Sequence, residues 1–314
     1  MRFSIAKAFG INIDPKLEIE GGSDPNHPNI PAIDPNYVFR QDVLSDILAW
    51  HKARRDGASE DFLYMSGHTA TGKTSIIRQV AARLQIPLFE IGGHTRLEFP
   101  EMLTTISLIG GDTVAVDGPL TQAYRQGAWF MLNEANLLDP GETAGFNDIG
   151  QSLCIPSTGE QLSPAPGFAF ICNGNAVAGG DHASLYLGAN RQNLAFLDRF
   201  YFVEVDYPEE AVEVGILLNV VKGLHKDVAE TMVRIANDIR GLFSPKDGDA
   251  PQIDLTCSTR TLIRWARSAV FLAAKPGINP IHYAFDRALG FRAEPVQRTA
   301  LHEIIDRHVG VPNP

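Results

Sequence analysis

Eight residues, Gly67-His68-Thr69-Ala70-Thr71-Gly72-Lys73-Thr74, fit the spacing G-x-x-x-x-G-K-[ST], and each defining residue has a task in phosphate chemistry. Gly67 and Gly72 let the backbone curl so that its N–H groups point inward around phosphate oxygens, while Lys73 carries charge to the β- and γ-phosphates and the Thr74 hydroxyl can ligate Mg²⁺. Ser75 follows as the next residue of the motif. The flanks carry the argument: Asp61–Ser66 reads as a buried strand, and Thr74–Leu84 has apolar residues at helical spacing with no Gly or Pro. A chance glycine-rich turn would not need both. ATP binding, with the loop wrapped on the phosphates at the positive end of a helix, is the expectation.

A second group of residues suits the hydrolysis of such a ligand. The apolar run Trp129-Phe130-Met131-Leu132 ends in Asn133-Glu134, the form of a Walker B strand in which Asn replaces the usual Asp. In that motif the first residue holds Mg²⁺ through water and the Glu polarises the attacking water. Phe168–Ile171 leads into Cys172-Asn173-Gly174-Asn175, where Asn175 either caps a turn or hydrogen-bonds the γ-phosphate or the attacking water. Arg191 and Arg199 precede a strand at Tyr201–Val205. Arg199 is either an ion-pair residue or a finger reaching a neighbouring subunit's nucleotide. Arg260, in Ser258-Thr259-Arg260, can face a nucleotide lying between two domains.

The elements that must position these residues follow in order. Residues 1–36 form an extended arm, rich in Pro, Asp, Asn and Gly from Ile11 onward. Residues 37–207 form the nucleotide domain. Its first helix opens at Tyr37–Arg40 and runs through Val43, Ile47, Leu48 and Trp50. A strand over Leu88–Ile91, a short helix over Glu98–Leu103, a hairpin over Leu108–Gly118 and a helix from Pro119 precede the Walker B strand. Asp139 caps a helix that runs through Phe146, Ile149 and Leu153, and Ser157–Glu160 turns a hairpin. Gly179-Gly180-Asp181-His182 is a loop. Residues 208–314 are nearly all helix, with Leu262, Trp265, Ala266, Ala269, Val270 and Ala273 as a core stripe and a loop over Lys246–Asp249. His27, His182, His282, His302 and His308 form no metal-binding pattern and read as ordinary surface or core histidines.

Charge and composition narrow the class. A net charge of −10 and a pI near 5.4 argue against a free-standing nucleic-acid binder. The 44% hydrophobic content over 314 residues allows a substantial core. Cys154, Cys172 and Cys257 are far apart, which suggests neither a disulfide framework nor a zinc site and fits a reducing cytoplasm. No stretch reads as a signal segment or a membrane span.

Assembled, these parts resemble the AAA+ ATPases of the MoxR group, most closely its branch of small cobaltochelatase ATPase subunits. The resemblance runs from Ile30–Arg40 through Gly72–Ser75, Gln79–Leu84, His94–Leu97, Gly118–Thr121, Asn133-Glu134, Cys172–Asn175, Gly188–Asn193 and Leu197–Phe200. It covers roughly Ile30 to Phe200 well and the helical tail more loosely. It implies an α/β fold: a P-loop αβα parallel-sheet domain with a helix-2 insert, followed by an all-helical lid. It also implies a homo-oligomeric ring, usually hexameric, and a partner carrying a von Willebrand factor A domain. By the same resemblance Asn175 matches sensor 1, Arg199 the finger, Arg191 a second candidate for the contact in trans, and Arg260 sensor 2. Asn133 departs from the pattern. The function expected is an ATP-driven motor that remodels or assembles a partner complex. The alternatives are a motor subunit of a nucleic-acid-targeting defence system, disfavoured by the acidic balance, a P-loop kinase, for which Asn175, Arg199 and Arg260 have no use, and a nucleotide-gated scaffold that does not hydrolyse.

Overall fold

A computed structural model describes residues 1–175, 189–244 and 251–309. The loop Gly179–His182, with His182, the motif residue Gly188 and the loop Lys246–Asp249 lie outside the described residues. The chain forms two compact units: Met1–Pro35, Phe39–His68 and Gly72–Val205 make the first, and Asn36–Val38, Thr69–Thr71 and Asp206–Pro314 the second.

The first unit begins with a small ribbon, β1 (Arg2–Ser4), α1 (Ile5–Phe9) and β2 (Glu18–Glu20), the two strands pairing antiparallel. The rest of the N-terminal segment has no regular structure but is pinned to its own unit. Gly22 N–H donates to Leu84 O, Leu88 N–H to Asn29 O, and the Gln79 side chain bonds both Asp34 N–H and Ala32 O. α2 (Gln41–Arg55) follows, its buried Val43, Leu44, Ile47 and Leu48 lying on one face.

Five strands form the central sheet: β3 (Phe62–Ser66), β4 (Leu88–Gly92), then β7 (Trp129–Asn133), β10 (Ala169–Gly174) and β11 (Phe200–Glu204) after the elements named below. All are parallel, in the order β11-β3-β10-β7-β4. β3 and β10 are buried along their whole length, as continuous apolar runs are when both faces of a parallel sheet are covered. α3 (Lys73–Arg83) packs Ile76, Ile77 and Val80, each at 3% exposure or less, and each such side chain contributes roughly 1.5–3 kcal/mol of burial. Between β4 and β7 stand α4 (Phe99–Leu103), the hairpin β5 (Thr104–Ile109) and β6 (Asp112–Asp117) closed by Gly110-Gly111, and α5 (Pro119–Gln126). This is the insertion of helix, hairpin and helix that the sequence predicts. Ile106, Leu108 and Ile109 of the hairpin are exposed.

The segment after β7 departs from expectation. Asp139 does cap a helix, accepting from Gly141 N–H at 2.8 Å, but α6 (Pro140–Thr143) gives way to a 3-10 turn over Ala144–Phe146, and Leu153 begins a strand. The cause is packing. Phe146 stacks flat on Phe170 with centroids 4.7 Å apart and meets the Phe99 ring edge-on at 4.8 Å. A Cβ at Gly145 would lie within 2.6 Å of two Phe99 ring atoms. The core position of Phe146 therefore outweighs helical continuation. β8 (Leu153–Ile155) and β9 (Glu160–Leu162) form the hairpin around Ser157–Glu160, and α7 (Leu194–Leu197) precedes β11.

The second unit contains α8 (Glu210–Val220), α9 (Lys226–Phe243), α10 (Thr259–Leu272), α11 (Pro280–Ala288) and α12 (Pro295–Val309). Trp265 meets Phe285 edge-on at 5.1 Å, and its indole N–H donates to Ile281 O. The α10 stripe is buried at Leu262, Trp265, Ala266 and Ala269; Val270 is half-buried, and Ala273 is exposed rather than core. Arg240 and Glu213, both buried, form a two-pronged ion pair at 2.7 and 2.8 Å. No helix among the described residues is long and apolar enough to cross a membrane.

Candidate nucleotide site

The site is built where β3, β10 and β7, neighbours in the sheet, reach their carboxyl ends, the edge at which open parallel sheets bind ligands. β3 ends at Ser66 and passes into the glycine-rich loop. Gly67 has φ 138°, and a Cβ there would lie 2.2 Å from Val205 O, so only glycine fits. Gly72, at φ 103°, is the residue before α3. Ala70 is also left-handed, at φ 57°. With this turn Lys73 and Thr74 open the helix, and its unpaired amides and dipole favour an anion at that end.

Lys73 is 5% exposed. Its ammonium donates to Gly67 O at 2.7 Å, His68 O at 2.8 Å and Asn175 Oδ1 at 3.1 Å. Burial lowers its pKa from 10.5 to about 8, against the opposing pull of Glu134. Asn175 in turn donates its amide to Glu134 Oε2 at 2.5 Å. Lys73, Asn175 and Glu134, which stand on three different stretches of the sequence, thus form one series of contacts. Glu134 sits at φ 54°, a conformation that costs a non-glycine residue of order 1–3 kcal/mol and is held here by a bond from its N–H to Asn173 Oδ1 at 3.0 Å.

Beside this series lies a second set. Thr74 Oγ1 donates to Asn133 Oδ1 at 2.9 Å, and Asn173 Nδ2 reaches Asn133 Oδ1 at 2.7 Å and Thr74 Oγ1 at 3.2 Å. Asn133 Nδ2 donates to Glu90 Oε2 at 3.1 Å, and Arg78 grips Glu90 with two bonds of 2.8 Å. A hydroxyl and an amide oxygen side by side suit a hard cation such as Mg²⁺. Among the described residues no group of three His, Cys, Asp or Glu side chains could hold a metal. Thr74 would hold such an ion with Asn133 behind it, and phosphate oxygens and water would supply the rest of its coordination.

The arginines divide differently. Arg199 is held within its own chain, Nε donating to Asn147 O at 2.7 Å and Nη1 to Ala195 O, both backbone carbonyls. Arg191 is exposed between two anchored neighbours, Asn190 and Gln192, whose amides donate to Leu138 O. Arg260 is exposed on the first turn of α10, in the second unit, where Ser258 accepts from Thr261 N–H at 3.2 Å. Sequence reasoning gave no role to Asn173, Asn136, Glu90 or Arg78. Asn136 Oδ1 accepts from Asn175 N–H at 3.3 Å. Glu90 carries a signal as the lone charge inside the apolar run Leu88–Ile91, and Asn173 as an amide closing an apolar run just as Asn133 does; nothing comparable marks Asn136 or Arg78.

Residues 63–200 match the AAA domain of the dynein-related subfamily, and residues 213–308 match the CbbQ/NirQ/NorQ C-terminal domain. The chain is 27% identical over 326 residues to the aerobic cobaltochelatase subunit CobS of a Sinorhizobium species, covering 98% of this chain and 90% of that one. It is 35% identical over 181 residues to the protein NorQ of Paracoccus denitrificans, covering 57% of this chain and 64% of NorQ, slightly less than two thirds of that relative's length. With the denitrification regulatory protein NirQ of Pseudomonas aeruginosa the identity is 28% over 277 residues, covering 86% of this chain and 97% of NirQ.

Proposed function

Because this chain belongs to the MoxR-type AAA+ ATPases, we propose that it binds and hydrolyses ATP as a ring-forming motor that remodels or assembles a partner protein complex. The observation that carries the catalytic part is the joining of Lys73, Asn175 and Glu134 at the carboxyl ends of three adjacent strands. In this reading the loop from Gly67 to Thr74, with Ser75, cradles the phosphates. Lys73 exchanges its carbonyl partners for phosphate oxygens. Glu134 accepts a hydrogen bond from the attacking water and orients it, while Asn175 holds both that carboxylate and the γ-phosphate end of the site. Mg²⁺, when bound at Thr74, would draw charge from the β- and γ-phosphates. Arg191 and Arg199 are candidates for the contact in trans, with Arg191 favoured because its side chain is exposed whereas Arg199 is bonded to its own chain. Arg260 would act as the sensor on the helical unit.

The partner is proposed to be a protein with a von Willebrand factor A domain, within a multi-subunit complex of the kind named for the CobS relative, and a hexamer is the expected ring. The acidic balance leaves a nucleic-acid motor less favoured. A second reading, a nucleotide-gated scaffold, is favoured by one observation, the amide at Asn133 in place of a carboxylate. Nucleotide binding and Mg²⁺-dependent turnover of the parent and Glu134→Gln decide between them. The motor reading expects slow turnover in the parent, raised by a partner, and bound ATP with almost no turnover in the variant. Binding without turnover in the parent, with or without partner, would leave only the scaffold. Native mass measurement with a slowly hydrolysed ATP analogue should show a ring; a monomer would count against any residue acting in trans.

A further inference from the structure

An amide can present either its oxygen or its NH₂ to a neighbour, and at Asn133 the choice decides whether the site offers Thr74 an acceptor or a second donor. Two groups of fixed character settle it. At one end the Glu134 backbone N–H can only donate, so Asn173 turns its oxygen to it at 3.0 Å and its NH₂ toward Asn133 Oδ1 at 2.7 Å. At the other end the Glu90 carboxylate can only accept, so Asn133 gives it Nδ2 at 3.1 Å. Glu90 is itself fixed by the paired bonds from Arg78 on α3. Every bond in the series Glu134 N–H, Asn173, Asn133, Glu90 therefore runs in one direction. Reversing either amide would set two donors or two acceptors face to face.

We infer that Glu90 is a positioning residue for the cation site, its carboxylate locking the Asn133 oxygen toward Thr74. The inference rests on the nucleotide reading above only for its ligand; the hydrogen-bond series exists without one. It carries a specific consequence. Asn133→Asp alone would set a carboxylate oxygen 3.1 Å from Glu90 Oε2 with no proton between them, so restoring the usual Walker B residue would harm the site. Exchanging both, Glu90→Gln with Asn133→Asp, returns one carboxylate and one amide in a matched pair, the amide introduced on β4 donating to the carboxylate introduced on β7.

The test is a double-mutant cycle on the full chain with parent, Glu90→Gln, Asn133→Asp and the double variant. Thermal unfolding without nucleotide is measured first. Asn133→Asp should unfold about 4 °C or more below the parent, but should cost little or nothing further in the Glu90→Gln background, where the loss of one Arg78 bond is common to both variants. ADP affinity is then measured with Mg²⁺ and with EDTA. Glu90→Gln removes the fixed acceptor that holds Asn133 Nδ2 and leaves the amide set from the Asn173 side alone, so the gain in affinity given by Mg²⁺ should drop about tenfold, and the double variant should regain it. Additive effects on unfolding, or an unchanged Mg²⁺ gain in Glu90→Gln, would overturn the inference. A parent that binds no nucleotide would instead overturn the functional reading, and the unfolding cycle would still decide whether Glu90 and Asn133 are coupled.

Discussion

Filling the site with phosphate should make nucleotide binding take up a proton, because burial already contests the charge of Lys73. In the free protein burial lowers its pKa to about 8. A phosphate beside the ammonium favours the charged form and returns the pKa to its ordinary value of 10.5 or above. The sign follows from linkage. Below pH 8 Lys73 is charged in both states and affinity is flat; above it the free protein has lost a proton that the complex retains, so affinity falls until the bound pKa is passed. At pH 9 about ten in eleven free molecules carry a neutral Lys73, against about one in eleven at pH 7, so ADP should bind about tenfold more weakly at pH 9 than at pH 7. Calorimetry at pH 8.5 in two buffers of different ionisation enthalpy should record an uptake of about 0.8 proton. Stability of the free protein should change in the opposite sense. The unfolded chain keeps its Lys73 proton up to 10.5, so unfolding free energy rises between pH 8 and 10.5, by about 3 kcal/mol at most from this group. An affinity that changes less than about twofold from pH 7 to 9, with no proton uptake, would refute the placement of Lys73 on the phosphates.

Acid should weaken the first unit through His51, which is buried against Trp129, has Nε2 2.7 Å from Glu20 O and has its pKa lowered by burial from 6.5 to about 4. Stability from its neutral form is present above pH 6.5 and lost as pH falls toward 4, by about 3 kcal/mol; denaturant unfolding of parent and His51→Gln across that interval should show the slope only in the parent. In the second unit Glu213→Gln leaves Arg240 buried without its charge partner and should cost about 3–5 kcal/mol, whereas replacing both by Leu and Met should restore most of it. Urea midpoints of the parent and these variants check this, and a single substitution costing less than about 1 kcal/mol would show the pair to be hydrated.

The glycine-rich loop, the strands around it and the inserted hairpin were legible in the sequence because each is set by neighbours in the chain. Gly67 and Gly72 supply a turn, Thr74–Leu84 supplies a helical period, and Gly110-Gly111 closes alternating apolar residues. The helix expected through Phe146, Ile149 and Leu153 failed for the opposite reason. Its spacing is helical, but Phe146 is committed to Phe170 and Phe99, residues 24 and 47 positions away, and a local pattern carries no trace of that. The site shows the same division. Lys73, Thr74, Asn133, Glu134 and Asn175 could be chosen by type and by their place at strand ends. Which way the Asn133 and Asn173 amides face could not, since it depends on Glu90 and on a backbone N–H brought alongside by strand order. A side-chain amide is ambiguous until its partners are known, and those partners come together only when β4, β7 and β10 lie side by side in the sheet.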